Sequence, residues 1–460
     1  MKSFGVLFLF LFLALAVTFP LILNLDKAII DLQDGLLITW ILNWTIAHPF
    51  NFNANIFYPY QSTLAFSETM FPLALIISPF VKLFNEPLLA FNLSFLLALI
   101  LTPYCFYLLT RSVLGSLIFT YSPIYFGYLT HIQVLNFWPV ILAVYFLTSR
   151  RYQLLALTIP IAATTSALFL YFVLIVVIIQ SIVIKSIRPI VTFIIGSILV
   201  LPFMLPYFSV SKTFNYVRPI TDAIHNSVAP IDLVTQFFPG LAFLYLVVIW
   251  LLKNRFRFKP DLYIWTGIVS FILSLGPALH LVKNTIHLGL IPFIPLPYAI
   301  FYYLVPGFSG IRTPSRFMLL AFFAFTVYFL TKLKITKFSY LLIIILLVVG
   351  LKVPIKYYEV PKIPAVNFDL KDKYEGMPVA YFPIYGWFDE LGVLEETTRM
   401  YFSTANWNPM FNGYSGFSPR EWEDKVKWLQ KNYPSSKAKN YLKSIGIKVI
   451  IDNGTIYEIN

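Results

Sequence analysis

The side chains with chemistry to offer gather early in the chain. Residues 1–353 hold only eight carboxylates, and four of them, Asp26, Asp31, Asp34 and Glu68, fall between positions 26 and 68. Lys27 is the single Lys or Arg in that stretch. Carboxylates with so few cationic neighbours suit a general base or a cation site. Exposed loops also carry charges without any function, so the cluster alone does not decide between these. Further on, Tyr128, Thr130, His131, Gln133 and Asn136 sit at the junction of two apolar runs, beside Trp138. A histidine there serves either packing or proton transfer. Arg312 and Arg316 lie in Phe308-Ser309-Gly310-Ile311-Arg312-Thr313-Pro314-Ser315-Arg316-Phe317, at the start of another apolar run. One helical turn apart, they could face one cavity. A guanidinium offers a planar fork to phosphate oxygens, and it equally anchors a lipid headgroup.

The elements that must position these residues follow from composition. Hydrophobic residues make up 58% of the 460 and charged residues 12%, too few to cover a soluble surface and too apolar for disorder. One cysteine, Cys105, excludes a disulfide scaffold. Residues 356–460 carry 13 basic and 13 acidic side chains, so the net charge of +13 belongs to the hydrophobic part. Basic residues that punctuate apolar runs mark membrane orientation, not a nucleic-acid face. Aromatics at 18% suit much membrane-interface surface.

An α-helical polytopic membrane protein is therefore expected. Apolar runs at about 4–24, 88–110, 112–129, 133–149, 153–167, 169–184, 190–209, 240–252, 262–281, 316–331 and 338–353 give eleven transmembrane helices. The first has the Leu-Ala-Leu-Ala of a signal peptide near its end, but it is long enough to span and is read as retained. Thr164-Thr165-Ser166 divides the fifth run from the sixth. This arrangement puts Lys2, Arg111, Arg150, Arg151, Lys185, Arg188, Lys253, Arg255, Arg257, Lys259, Lys332, Lys334 and Lys337 inside, 13 bases against the one acid Asp261. The N-terminus is then cytoplasmic and residues 354–460 form a small extracytoplasmic α/β domain. A charged helix is expected over 420–432. Asn453-Gly454 is expected to turn a hairpin between 448–452 and 455–459. Residues 25–87 form an outer loop. Its Leu36, Leu37, Trp40 and Trp44 line one face of a short helix, the profile of a helix lying in the interface plane. Residues 68–84, with Pro72 and Pro79, read as a second interfacial or re-entrant helix.

Familiar energy-coupling sites are missing from the sequence. It holds no Walker A pattern and no Cys/His cluster with zinc spacing. The spans are almost uncharged, whereas ion-coupled transporters usually need intramembrane charges. A large outer loop and an outer tail over such a bundle suit chemistry at the outer membrane face.

The order of parts resembles the GT-C superfamily of integral-membrane glycosyltransferases, which take sugars from polyprenyl-phosphate carriers. Asp34-Gly35 followed by Trp40 and Trp44, Asn55-Ile56-Phe57-Tyr58-Pro59, His131-Ile132-Gln133, Ile311-Arg312-Thr313-Pro314-Ser315-Arg316-Phe317 and Asn412-Gly413-Tyr414-Ser415-Gly416 resemble a group of bacterial and archaeal GT-C-like proteins. In layout the resemblance covers nearly the whole chain. It implies that an acid in the first outer loop is the base, with Asp34 the best match and Asp31 second. The adjacent acidic pair common in the superfamily is missing here. The Trp-Trp-Asp signature of oligosaccharyltransferases is missing too, which argues against protein N-glycosylation.

The resemblance implies an inverting hexosyl or pentosyl transfer to a cell-surface glycan, lipid or protein acceptor. Asp34, Asp31 and Glu68 are the expected catalytic residues, and Arg312 and Arg316 the expected donor-phosphate site. His131, Gln133, Tyr58 and Trp40 are expected to bind substrate. The partners are a polyprenyl-phosphate-linked sugar and membrane lipids, with no nucleic acid. No cofactor is demanded, although an acidic outer loop can hold a divalent cation. A transporter or flippase of lipid-linked saccharides would share the spans without needing a base at Asp34. A polysaccharide polymerase fed by lipid-linked oligomers would share both.

Overall fold

The computed structural model describes residues 3–216, 218–281, 284–286, 294–351 and 353–459. Lys2, assigned above to the inner side, lies outside them. The chain is mostly helical, with one three-stranded sheet in the tail and two minor strand pairs.

Among the described residues two helices are long and apolar enough to cross a membrane, Leu89–Thr110 and Pro314–Thr331. Arg188–Ile198 and Leu201–Thr213 meet at a 68° bend and make a third crossing if they act as one. The expectation of eleven spans is corrected accordingly, because the other apolar helices are 10–17 residues long. At 1.5 Å per residue a helix of about 14 residues reaches only ~21 Å, short of a hydrocarbon core of ~30 Å.

Helix breakers shorten two of the apolar runs, while others, such as 240–252, form helices of about their own short length. The run at 112–129 stops at Tyr121-Ser122-Pro123, giving Val113–Thr120 and then Pro123–Phe126, whose Tyr125 N–H is capped by the Ser122 hydroxyl at 3.2 Å. The first helix is Ser3–Val17, ending ahead of Pro20. Proline removes a backbone donor and clashes with the preceding turn, so an apolar stretch overstates the helix it can form. The division at Thr164-Thr165-Ser166 is present, between Tyr152–Thr165 and Ala167–Val183.

The helix Asp34–Ala47 does not lie half-sunk in an interface. Every residue from 35 to 46 is buried. Trp40 donates its indole N–H to Asn55 Oδ1 at 3.1 Å, and Trp44 donates to the Asn51 carbonyl at 2.9 Å. Trp44 also meets Trp407 edge-on, with ring centroids 5.3 Å apart. The tryptophans that resemble lipid anchors instead bind this helix to residues 51–55 and to the tail. The segment expected to hold a second helix forms Phe71–Phe84, and it is one-sided: Leu73, Ala74, Ile77 and Val81 are buried, while Leu75, Phe80 and Leu83 are exposed.

In the tail, strand Val379–Phe382 runs parallel to Val449–Asp452, which pairs antiparallel with Thr455–Glu458. The expected hairpin is there, with Asn453 and Gly454 both at positive φ, 48° and 81°. The expected charged helix is Arg420–Asn432. Composition sets residues 354–460 apart, yet they pack directly on the outer loop. Ala28 and Ile29 pair antiparallel with Glu359 and Tyr358. Phe57 N–H donates to Asn412 O at 3.1 Å, Tyr58 N–H to Met410 O at 2.8 Å, and Met410 N–H to Asn55 O at 2.7 Å. The join is close because position 413 is glycine: a Cβ there would stand 3.1 Å from both Ile56 and Phe57.

Glu396 fastens the tail side of this join. It is 1% exposed, and its Oε1 accepts from Arg399 Nη1 at 2.8 Å, Asn412 Nδ2 at 3.1 Å and Tyr385 N–H at 3.3 Å. Asn412 in turn bonds both backbone groups of Tyr381. Glu396→Ala leaves the Arg399 cation buried without its carboxylate and is expected to destabilise the protein by about 3–5 kcal/mol. The double change Glu396→Met with Arg399→Met should recover most of that loss. Denaturant unfolding in detergent measures both, and a Glu396→Ala loss below about 1 kcal/mol would contradict this role.

Candidate functional site

Asp34 is the first residue of its helix, and two local features put it there. Asp31 Oδ2 accepts the Gly35 N–H at 3.0 Å and so holds the first turn. Gly35 lets the helix sit tightly on the preceding chain, since a Cβ would come within 3.1 Å of Ile29 Cδ1. Asp31 is therefore a positioning residue for Asp34. Among the described residues the Asp34 carboxylate makes no hydrogen bond.

His131 comes to it from the junction ahead of the short helix Ile132–Leu135. Its Nε2 is 4.0 Å from Asp34 Oδ2, too far for a hydrogen bond, and its Nδ1 is 3.0 Å from Thr130 Oγ1. The two side chains keep one edge open, 37% and 42% exposed, with protein packed around the rest. Burial, then the Asp31 charge, raises the Asp34 pKa above the ordinary carboxylate value, and Arg316 and Arg312 pull it partly back. Burial, then the Arg316 charge, lowers His131 to about 4. The imidazole is thus neutral at physiological pH, and its contact with Asp34 is not an ion pair.

Arg312 and Arg316 both act on Asp34, but not from one helical turn. Arg312 precedes the helix in non-helical chain, and Arg316 closes the 3-10 turn Pro314–Arg316 ahead of Phe317–Thr331. Their strap is held by its backbone: the Tyr298 hydroxyl donates to Ile311 O at 3.2 Å, and Ser315 N–H donates to Asn226 O at 3.1 Å. Among the described residues neither guanidinium has a hydrogen bond or a carboxylate within ion-pair distance. Two unpaired cations therefore stand within electrostatic reach of an unpaired carboxylate.

Two further residues join the site that charge counting overlooked. Arg218 donates Nη2 to Gly416 O at 2.8 Å, lies 5.3 Å over the Tyr216 ring, and is coupled electrostatically to Arg312, Asp222 and Arg316. Tyr414, from the tail, has its pKa raised by burial and then by the Asp34 charge, with Arg312 opposing. The available sequence signals were Tyr216-Val217-Arg218, an isolated base between apolar runs, and the glycines that flank Tyr414.

The structure places the other expected site residues as follows. Glu68 Oε1 accepts the Ser166 hydroxyl at 2.6 Å and the Ala167 N–H at 2.8 Å, capping the helix Ala167–Val183. It is not among the charges that act on Asp34. Trp40 is turned to Asn55, and the Tyr58 backbone is joined to Met410. Gln133 stays beside His131, with a buried Oε1 that has no partner among the described residues. Among the described residues no three His, Cys, Asp or Glu side chains form a metal-binding group.

No protein-family model matches this chain, and no curated protein matches it.

Proposed function

We propose that the protein is a GT-C-type membrane glycosyltransferase that moves a sugar from a polyprenyl-phosphate carrier to an acceptor on the outer face. The observation that carries this reading is the meeting of Asp34, without a hydrogen bond, and Arg312 and Arg316, without anions, from opposite ends of the membrane part. Asp34 takes the acceptor O–H proton as the acceptor oxygen bonds the anomeric carbon. The bond from that carbon to the carrier phosphate breaks, and the electron pair leaves with the phosphate. Arg312 and Arg316 hold the charge that develops there. Attack opposite the phosphate inverts the anomeric centre, and the carboxylate favours an oxocarbenium-like transition state. Neutral His131 orients a hydroxyl without neutralising the base.

A multi-pass arrangement supports this chemistry. Phe4, Phe8 and Phe12 on the first helix, Leu205 and Phe208 on Leu201–Thr213, and Val348 and Val349 on Lys337–Gly350 are all exposed. A belt of that size is covered if lipid surrounds it. Broken helices persist at membrane depth when neighbouring protein satisfies their backbone groups, and short ones are accommodated by local thinning. Tyr414 and Gly416 join the Asp34 site, so residues 354–460 share its side of the membrane.

Mass spectrometry of a deletion strain tests the reading. Polyprenyl-phosphate sugar should accumulate and one surface glycan should lose a residue. Unchanged carrier-sugar pools with an unchanged surface would reject transfer. Accumulation confined to the inner leaflet would assign a flippase instead.

A further inference from the structure

We propose that Trp387 and Tyr414 form a platform for a pyranose ring of the acceptor, set beside the carboxylate that receives its proton; this rests on the transferase reading. The two rings stack with centroids 5.2 Å apart at 28°, and both are half-buried. The loop carrying Trp387 is fixed in place. Gly386 N–H donates to Asp389 Oδ2 at 2.7 Å, and Gln430 Nε2 bonds that same oxygen at 2.8 Å and the Ile384 carbonyl at 2.9 Å. Tyr414 is anchored by its N–H on Met400 Sδ at 3.4 Å. Two residues further on, Gly416 O receives Arg218.

The polar edges of the pair are unused. Trp387 Nε1 is buried with no hydrogen-bond partner among the described residues, and the Tyr414 hydroxyl makes none. A buried indole N–H ordinarily finds an acceptor, because it can only donate. A pyranose supplies what both rings lack: C–H bonds for the aromatic face and hydroxyl oxygens for the N–H and O–H at its edge. A lipid tail would fill the ring face and leave the N–H unpaired. The acceptor, not the donor, belongs here, since the donor phosphate is held by the arginine strap and Tyr414 comes from the tail to the base.

Saturation-transfer NMR on wild-type protein in nanodiscs, with hexasaccharides of glucose, mannose, galactose and N-acetylglucosamine as probes, tests binding without donor. Transfer to ring C–H protons is expected from at least one probe, lost in Trp387→Ala and largely kept in Trp387→Phe. Trp387→Ala should raise the acceptor KM about five- to ten-fold with little change in kcat. No transfer from any probe in wild type, or equal transfer in wild type and Trp387→Ala, overturns the platform. Probe binding in a protein that never releases polyprenyl phosphate keeps the platform and removes the transferase. Release of polyprenyl phosphate with unchanged acceptor KM in Trp387→Ala does the reverse.

Discussion

Asp34→Asn is expected to lower sugar transfer by about 10²–10⁴, the usual range for losing a general base. Asparagine keeps the size and planarity of the carboxylate, and the Asp31–Gly35 bond that starts the helix does not involve residue 34. Fold and donor binding should therefore survive. The pH profile adds a second readout. The base works ionised, and its pKa lies above the ordinary carboxylate value through burial and the Asp31 charge. kcat/KM should rise as pH climbs through that raised value and then level off. His131 is lowered to about 4, so no limb from its titration is expected near its ordinary 6.5. The measurement is release of polyprenyl phosphate by purified protein in nanodiscs. An Asn variant within a few-fold of wild type would take the role from Asp34, and a limb near 6.5 that persists in that variant would give it to His131.

The double variant Arg312→Ala with Arg316→Ala is expected to cost on the order of 10²–10³ in kcat, the loss typical of removing a donor to developing negative charge. Arg312→Lys should recover only part, because an ammonium cannot form the planar fork. Arg316→Ala alone should also move the acid limb. Arg316 lowers the Asp34 pKa, so removing it raises that pKa and carries the limb to higher pH. A purely structural strap would leave the limb in place. Donor KM and kcat within a few-fold of wild type in the double variant would reject the phosphate site.

The scarcity of charge made part of this site legible. In a chain so poor in carboxylates, Asp34, Arg312, Arg316 and His131 stand out as residues that the apolar environment does not explain, and the fold brings these four together. Glu68 stands out equally, but nothing near it in sequence signals that it caps a helix 98 residues later. Nothing near Arg218 in sequence reveals Gly416, 198 residues on.

What the sequence determined by itself is local. The Asn453-Gly454 turn, the helix Arg420–Asn432 and the division at Thr164-Thr165-Ser166 follow from backbone preferences of a few adjacent residues. How far an apolar run stays helical is partly written in its prolines, at Pro20 and Pro123, but tertiary structure alone decided which partner each buried face meets. Trp40 and Trp44 show why. Amphipathic spacing says that one face of a helix leaves water, and it says so identically for a bilayer and for protein. Here the cover is Asn55, Asn51 and Trp407, contributed by the outer loop and by a tail more than 300 residues away. Only the folded chain brings that cover into contact, because the hydrophobic effect fixes that a surface is buried but carries no direction to say against what.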